Sequence, residues 1–197
     1  MANEVIRSFI AIQLPGGLVK QLKDFQEGLK SPGVHSVKWV DPGSMHLTLK
    51  FLGDVEVQRM ATLKDELGVA VSSSRRFHLV TGQTGFFPDL RRPRVFWLGL
   101  EGDIDALLAL HKAFDEALSK LGYARENCPF TAHLTLARLR EESGIIDRME
   151  FARTAQAGIF KPSCNIEVNS VALMRSQLTP RGAIYTRLAE FTLPLTC

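Results

Sequence analysis

Apolar residues recur at helical spacing in two long stretches of the chain. Between 18 and 29 they are separated by four, three and four residues, which predicts an amphipathic helix. A similar stripe runs over 104–121, with Asp103 as a candidate N-cap. Further helices are predicted at 56–71 and 145–157. Apolar and β-branched runs between turn-forming residues predict strands at 8–14, 37–40, 46–52, 77–81, 95–100, 131–139, 166–174 and 184–193.

One tetrapeptide reveals an internal repeat. His-Leu-Thr-Leu occurs at 46–49 and again 87 residues later, at 133–136. The same offset places Pro42 on Pro129, and the order of predicted elements also repeats. A second copy of the motif by chance is a rare event, so we interpret the chain as two copies of one supersecondary unit.

The order of elements predicts the fold class. Strand and helix signals are mixed, and several strands are joined by short turns, which favours an α+β fold with largely antiparallel sheets over a doubly wound parallel fold. The two copies, roughly 1–87 and 88–197, would form two pseudo-symmetric lobes flanked by helices around a central cleft. Both lobes would belong to a single domain over 1–197.

The repeated motif carries candidate chemistry. Residues two apart in a strand share a face, so His46 shares one with Thr48, and His133 shares one with Thr135. If both faces line one cleft, one imidazole can accept a proton from a nucleophile while the other protonates a leaving oxygen. The threonine hydroxyls can donate to phosphate oxygens, and Arg138 can bind phosphate with its planar fork.

Other side chains have weaker claims to function. A single His-Leu-Thr-Leu strand is ordinary, and duplication alone can preserve both copies without any function. His111 lies in an apolar helical stripe and is predicted at the edge of the core, and no catalytic role is expected for His35 or His78. Three arginines near the middle of the chain form a basic cluster that is either a solvated loop or an RNA-steering surface. They are Arg91, Arg92 and Arg94.

Composition adds few constraints. Of the 197 residues, 45% are hydrophobic and 23% charged, as in ordinary globular proteins, and the net charge of +3 permits an anionic substrate. Three cysteines without a CxxC pair predict free thiols in a reducing compartment. With no predicted signal peptide or membrane span, we expect a cytoplasmic protein that does not contact membranes. The oligomeric state is open, with a monomer as the expectation.

The sequence resembles a known family. Arg-Ser-Phe-Ile-Ala-Ile at 7–12, Lys-Trp-Val at 38–40 and Arg-Arg-Pro-Arg-Val-Phe-Trp-Leu-Gly at 91–99 flank the paired HxTx motifs, and Leu-Met-Arg-Ser-Gln-Leu follows at 173–178. Over nearly the whole chain these segments resemble RNA 2′,3′-cyclic phosphodiesterases, also described as 2′-5′ RNA ligases, of the 2H phosphoesterase superfamily.

The resemblance implies specific roles. It implies a bilobal fold in which His46 donates a proton and His133 accepts one, with phosphate contacts from Thr48, Thr135 and Arg138. It implies no metal and no cofactor. The expected substrate is an RNA or oligonucleotide end that bears a 2′,3′-cyclic phosphate, and the expected product is a 2′-phosphomonoester.

Three alternatives stay open at this point. The same groups would support ATP-independent 2′-5′ RNA ligation, with an RNA hydroxyl in place of water. A non-catalytic module that binds RNA ends is another possibility, although binding does not need two proton-transfer groups. A metallohydrolase is the weakest alternative, because no carboxylate or cysteine accompanies either motif histidine at ligand spacing.

Overall fold

The computed structural model describes residues 4–30, 37–158, 160, 164–180 and 182–195. The strands in these residues are β1 (Val5–Gln13), β2 (Val37–Trp39), β3 (His46–Glu56), β4 (Phe77–Phe87), β5 (Val95–Gly102), β6 (His133–Leu139), β7 (Asn165–Val168), β8 (Ser170–Thr179) and β9 (Gly182–Thr192). The helices are α1 (Gly16–Leu29), α2 (Met60–Ser72), α3 (Ile104–Lys120) and α4 (Ile145–Ala157). Short 3-10 turns cover Pro42–Ser44 and Val57–Arg59.

The strands form two antiparallel sheets. The first sheet has four strands in the order β3-β1-β8-β9, and the second has five in the order β2-β6-β5-β4-β7. Every strand pairing in both sheets is antiparallel. The predicted α+β fold with antiparallel sheets in two lobes is therefore confirmed.

The sheets do not follow the two halves of the chain. The 87-residue offset carries β4 onto the segment that holds β7 and the first part of β8. β4 pairs with β5 in the second sheet, while β8 pairs with β1 in the first. The lobes defined by the sheets therefore differ from the predicted segments 1–87 and 88–197, because β2 and β4 lie in the second sheet and β8 and β9 lie in the first.

The helices bury the apolar stripes that the sequence predicts. Leu18 and Leu22 of α1 and Leu107, Leu110 and Phe114 of α3 are all buried in the main core. Full burial of such side chains contributes about 1.5–3 kcal/mol each to folding. None of the helices in the described ranges is long and apolar enough to cross a membrane.

Local structure corrects several predicted boundaries. The helix predicted at 56–71 begins only at Met60, because a 3-10 turn precedes it. The strand predicted at 166–174 is divided at Asn169 into β7 and β8. Asp103 occupies the predicted N-cap position of α3, but its side chain does not cap the helix. Its Oδ2 instead accepts the backbone N–H of His78 at 2.9 Å, which joins α3 to β4.

Candidate active site

Both copies of the repeated motif contribute to one cavity. Along β3 and β6 the leucines of the motif are buried, while the histidines and threonines are half-buried on the other face, as strand alternation predicts. The cavity has a volume of about 1110 Å³. Its lining includes all five side chains singled out from the sequence, namely His46, Thr48, His133, Thr135 and Arg138.

The contact between β3 and β6 brings the two motifs together. β3 lies at the edge of the first sheet, and β6 lies between β2 and β5 in the second. These two strands contact each other where the sheets meet. A cavity at this junction is therefore lined by one histidine from each sheet.

Each histidine is held by the chain that immediately precedes it. Nδ1 of His46 lies 2.9 Å from the carbonyl oxygen of Ser44, and Nδ1 of His133 lies 2.7 Å from that of Thr131. Because a carbonyl oxygen only accepts, Nδ1 must carry the proton in both contacts. Nε2 is then the ring nitrogen available for proton transfer, as an acceptor in neutral imidazole and as a donor in imidazolium.

A turn supplies the first of these carbonyl groups. Asp41 precedes the 3-10 turn at Pro42–Ser44, and its side chain accepts the backbone N–H of Gly43 at 3.3 Å. The turn ends at Ser44, and the carbonyl oxygen of Ser44 accepts the hydrogen bond from Nδ1 of His46. Proline recurs at the equivalent position of the second copy, Pro129, so the sequence repeat extends to the segment that holds each imidazole.

A β-bulge follows the same position of each motif. Between β1 and β3 the register passes from Thr48 to Lys50 and skips Leu49. Between β5 and β6 it passes from Thr135 to Ala137 and skips Leu136, which is the equivalent residue. A bulge reverses the alternation of side chains beyond it. The fifth residue after each histidine therefore lines the cavity: it is Phe51 in β3 and Arg138 in β6.

Aromatic rings enclose the imidazole of His46. The ring of Phe9 stacks on it with centroids 4.7 Å apart, and the ring of Tyr185 meets it edge-on at 5.0 Å. Burial lowers the pKa of His46 from its ordinary value of 6.5, and the hydrogen bond to Ser44 opposes this lowering only in part. His46 is therefore mostly neutral at pH 7 when the cavity holds no anion.

Aromatic rings also pack around His133. Phe87 lies edge-on to it at 4.9 Å, and Trp97 lies 6.4 Å away. The indole of Trp97 needs a glycine on the neighbouring strand, because a Cβ at Gly85 would lie only 2.3 Å from the ring. The two histidines thus have equivalent backbone anchors but different aromatic neighbours.

Comparison with a family model identifies this arrangement. A model described as LigT-like phosphoesterase matches the chain twice in succession, over 12–97 and 98–185. The chain belongs to the LigT-like phosphoesterase family. The double match agrees with the internal repeat, and it confirms the resemblance to the 2H superfamily that the paired motifs indicated. The chain is accordingly an enzyme of the phosphoesterase class.

Curated relatives support the same assignment. The chain is 30% identical over 191 residues to the RNA 2′,3′-cyclic phosphodiesterase of Methanothermobacter thermautotrophicus, covering 95% of this chain and 99% of the relative. It is 31% identical over 189 residues to the protein of the same name from Thermotoga maritima, covering 94% of each.

Solved structures of similar fold include complexes. Crystallised TT0787 of Thermus thermophilus superposes with a TM-score of 0.77 at 25% identity, over 96% of this chain and 98% of that one. Escherichia coli LigT in complex with 3′-AMP superposes with a TM-score of 0.75 at 25% identity, over 96% of this chain and 99% of that one.

Two cations of this LigT-like phosphoesterase lie opposite each other in the second sheet. Arg138 of β6 is the register partner of Lys38 of β2, so their side chains share a face, and both line the cavity. Among the residues that the structure describes, neither Lys38 nor Arg138 has an ion-pair partner. Like charges directly opposite each other destabilise a sheet. An anion held between Lys38 and Arg138 would remove that cost.

A buried lysine and its ion pair, which sequence reasoning missed, join the first motif to α3. Lys50 lies four residues beyond His46 and is only 3% exposed. Its Nζ donates to Asp115 of α3 and, at 2.9 Å, to the carbonyl oxygen of Ala124. Asp115 also accepts the backbone N–H of Glu126 at 3.3 Å. Lys50 thus joins β3 to the segment that leads into β6.

The other histidines in the described residues do not line the cavity. His111 is largely buried and stacks on Phe130 with centroids 4.4 Å apart, as its place in the apolar stripe predicted. His78 is exposed on β4, and His35 lies outside the described residues. Cys128 and Cys164 are free thiols, and Cys128 is exposed at the lining of the cavity. Cys197 lies outside the described residues.

The basic cluster does not line the cavity. The backbone N–H groups of Arg91 and Arg92 both donate to Asp89, and Arg94 pairs with Glu141 at 3.4 Å. All three arginines are absent from the cavity lining. An RNA-steering role for them gains no support from their position.

The described part of the chain holds no group of three or more His, Cys, Asp and Glu side chains arranged to bind a metal ion. In the cavity, each motif histidine has a carbonyl oxygen on Nδ1 rather than a carboxylate beside it.

Proposed function

We propose that this phosphoesterase hydrolyses 2′,3′-cyclic phosphate ends of RNA to 2′-phosphomonoesters, with His46 as general acid and His133 as general base. One observation carries the proposal. The two imidazoles line one cavity, and each donates from Nδ1 to the carbonyl oxygen two residues earlier, so that Nε2 is free in both. A displacement at phosphorus needs an acid and a base on opposite sides of the reacting atom.

The proposed reaction transfers two protons. His133 in its neutral form accepts a proton at Nε2 from the attacking water as the new P–O bond forms. The bond from phosphorus to the 3′-oxygen breaks, and His46 in its protonated form donates from Nε2 to that oxygen. The phosphate remains on the 2′-oxygen. Both histidines end in the opposite protonation state, and exchange with solvent restores them.

Three side chains would bind the phosphate itself. Thr48 and Thr135 follow their histidines at the same interval on the cavity face, so their hydroxyls would donate to non-bridging oxygens where charge develops. Arg138 would donate from its guanidinium, with Lys38 beside it. All charge stabilisation in this scheme comes from side chains, without a metal or a cofactor.

The substrate class rests on the relatives and on the cavity. The curated relatives above are named for RNA 2′,3′-cyclic phosphate, and LigT of Escherichia coli has been crystallised with the nucleotide 3′-AMP. The cavity of this chain has room for a nucleotide and contains cations for its phosphate. RNA ends are therefore the partners that we propose.

A turnover assay tests the proposal. A short RNA with a 2′,3′-cyclic phosphate is incubated with the purified protein in EDTA, together with a 5′-hydroxyl RNA that could act as an acceptor. We expect hydrolysis of the cyclic end at an unchanged rate in EDTA. Loss of activity on chelation with recovery on addition of zinc, or joining of the two RNAs without hydrolysis, would contradict the proposal.

A further inference from the structure

A second cavity lies beside the candidate active site, between α1 and the edge of the second sheet. Its volume is about 580 Å³. One face of α1 lines it on one side, and the end of β2 with the 3-10 turn at Pro42–Ser44 lines it on the other. In the described residues β2 is the outer strand of its sheet, so the cavity follows an open sheet edge. We call this cavity the α1 groove.

A buried glutamine fixes the position of the α1 groove. Gln26 of α1 is only 2% exposed, and its side-chain amide donates to the carbonyl oxygens of Val40 and Leu136, at 2.9 Å each. These hydrogen bonds join α1 to the segment that follows β2 and to β6, the strand that carries His133. The place of the groove relative to the second motif is therefore set by the fold.

The face of α1 that lines the groove carries a stripe of lysines. Lys20 and Lys23 on α1 and Lys30 at its C-cap follow one another after three and seven residues, so they lie on one side of the helix. All three are exposed. Within the described residues Lys30 pairs with Glu27 at 2.6 Å, whereas Lys20 and Lys23 have no ion-pair partner.

The other acidic side chain in the described lining of the groove is also engaged. Asp41 accepts the backbone N–H of Gly43 and the hydroxyl of Ser44, at 3.3 Å each. The unpaired charge at the groove is therefore positive, and it comes from the two unpaired lysines of α1. Exposed cations along an open groove suit a polyanion.

The α1 groove adjoins the candidate active site. Trp39, Val40 and Asp41 line both the groove and the cavity that holds the motif histidines. Lys38, the residue before Trp39, lies opposite Arg138 in that cavity. Cations therefore continue from the phosphate-binding part of the cavity, past Trp39, to the lysine stripe on α1. This continuity favours a ligand that extends out of the active site over an unrelated acidic protein.

We propose that the α1 groove binds the sugar-phosphate backbone of the RNA strand that precedes the cyclic end. With the terminal phosphate between the histidines, the strand leaves the cavity past Trp39, and Lys20 and Lys23 contact its phosphates. Contacts of this kind position a strand without reading its sequence. The groove therefore favours an RNA strand over a mononucleotide, whatever its bases. This inference rests on the proposed function, since the strand belongs to the substrate of that reaction.

Binding measurements with two ligands separate the groove from the catalytic cavity. Titrations at several salt concentrations give the Kd of 2′-AMP and of a single-stranded oligoribonucleotide that ends in the same 2′-phosphate. Lys20→Ala combined with Lys23→Ala should weaken binding of the oligoribonucleotide by about 2- to 30-fold, the usual effect of losing two exposed ion pairs, and leave binding of 2′-AMP unchanged. The slope of log Kd against log salt should fall by about 1.4, because each lost contact to a single strand removes about 0.7. Lys20→Arg combined with Lys23→Arg keeps both charges and should retain RNA binding.

A matched control removes two lysines of α3. Lys112 and Lys120 are exposed and line neither cavity, so Lys112→Ala combined with Lys120→Ala lowers the net charge equally and should change neither Kd. Equal affinity of wild type and the α1 double variant for the oligoribonucleotide would overturn the inference, as would an equal loss in the α3 variant or for 2′-AMP. Loss of binding to polyglutamate with RNA binding intact would also overturn it, because the groove would then serve an acidic protein. The turnover assay judges hydrolysis separately, since no bond is broken in these titrations.

Discussion

The imidazole of His46 stacks against the ring of Phe9 with centroids 4.7 Å apart. With Tyr185 edge-on to the same imidazole, this contact shields part of the residue to which we assign the acid role from water. Burial lowers the pKa of His46, which disfavours the protonated form that an acid needs. A bound cyclic phosphate carries a negative charge, which raises that pKa again. Substrate binding and protonation of His46 should therefore be coupled.

The first prediction concerns the protonation of His46. Its pKa should lie below 6.5 in the free enzyme, because burial disfavours the imidazolium, and should rise when an anion binds in the cavity. An NMR titration of the His46 imidazole, without and with 2′-AMP, measures both pKa values. An equal pKa in the two states would contradict the coupling.

The second prediction concerns Tyr185. Tyr185→Ala should admit water to His46 and raise its pKa towards the ordinary value. Tyr185→Phe keeps the ring and serves as the control, with an unchanged pKa of His46. An NMR titration of the His46 imidazole measures the same shift directly. An identical titration in wild type and Tyr185→Ala would show that the ring does not set this pKa.

The third prediction concerns the motif histidines. Alanine at either His46 or His133 should reduce kcat by about 10²- to 10⁴-fold, the usual contribution of a general acid or base. The double variant should be little worse than one single variant, because both groups serve one transition state. His78→Ala is the control, since His78 is exposed on β4 away from the cavity. Strictly multiplicative losses would show that the two histidines act independently.

The fourth prediction concerns the buried pair of Lys50 and Asp115. Lys50→Met leaves the partly exposed Asp115 without its cation and should lower the free energy of unfolding by about 1–3 kcal/mol. Adding Asp115→Leu should recover much of that loss, because no unpaired charge remains. Lys30→Met is the control: it breaks the exposed Lys30–Glu27 pair and should cost less than about 1 kcal/mol. Chemical denaturation of wild type and of the three variants gives these values.

Acid should reduce the stability that the ion pair between Lys50 and Asp115 contributes. Burial raises the pKa of Asp115, but the hydrogen bonds from Lys50 and the backbone N–H of Glu126 outweigh it, so the pKa lies below its ordinary value. A lowered carboxyl pKa contributes stability above about pH 3.9, and that stability is lost as pH falls through the folded-state value. The difference in stability between wild type and Asp115→Leu should therefore shrink in acid.

Local patterns in the sequence predicted most of the helices and strands. The repeated motif identified His46 and His133 as candidate catalytic residues. The helical stripe over 104–121 and the alternation in 46–49 each depend on neighbouring residues only, so they can be recognised without knowledge of the tertiary structure. The offset between the two motifs added the expectation of one shared site. Thr48, Thr135 and Arg138 also line the cavity, although their roles remain predictions.

Features that depend on distant residues could not be predicted in this way. The bulges at Leu49 and Leu136 break the two-residue period, and no local signal marks them in either copy of the motif. Tyr185 reaches His46 from the far end of the chain, through sheet order rather than sequence spacing. From the sequence alone, Lys50 would be predicted at the surface. Its burial is explained by the position of Asp115 on α3, to which it donates. The positions of β2 and β4 in the second sheet and of β8 and β9 in the first also depend on distant residues.

The position of the phosphate in the product tests the central claim most directly. A short RNA with a 2′,3′-cyclic phosphate is hydrolysed in ¹⁸O-labelled water with EDTA, and phosphorus NMR follows the product. The account predicts one new phosphomonoester on the 2′-oxygen that carries one ¹⁸O, because water activated by His133 attacks as His46 protonates the 3′-oxygen. A cyclic phosphate that remains unopened would contradict the proposed activity, and a product wholly phosphorylated on the 3′-oxygen would contradict the roles assigned to the two histidines.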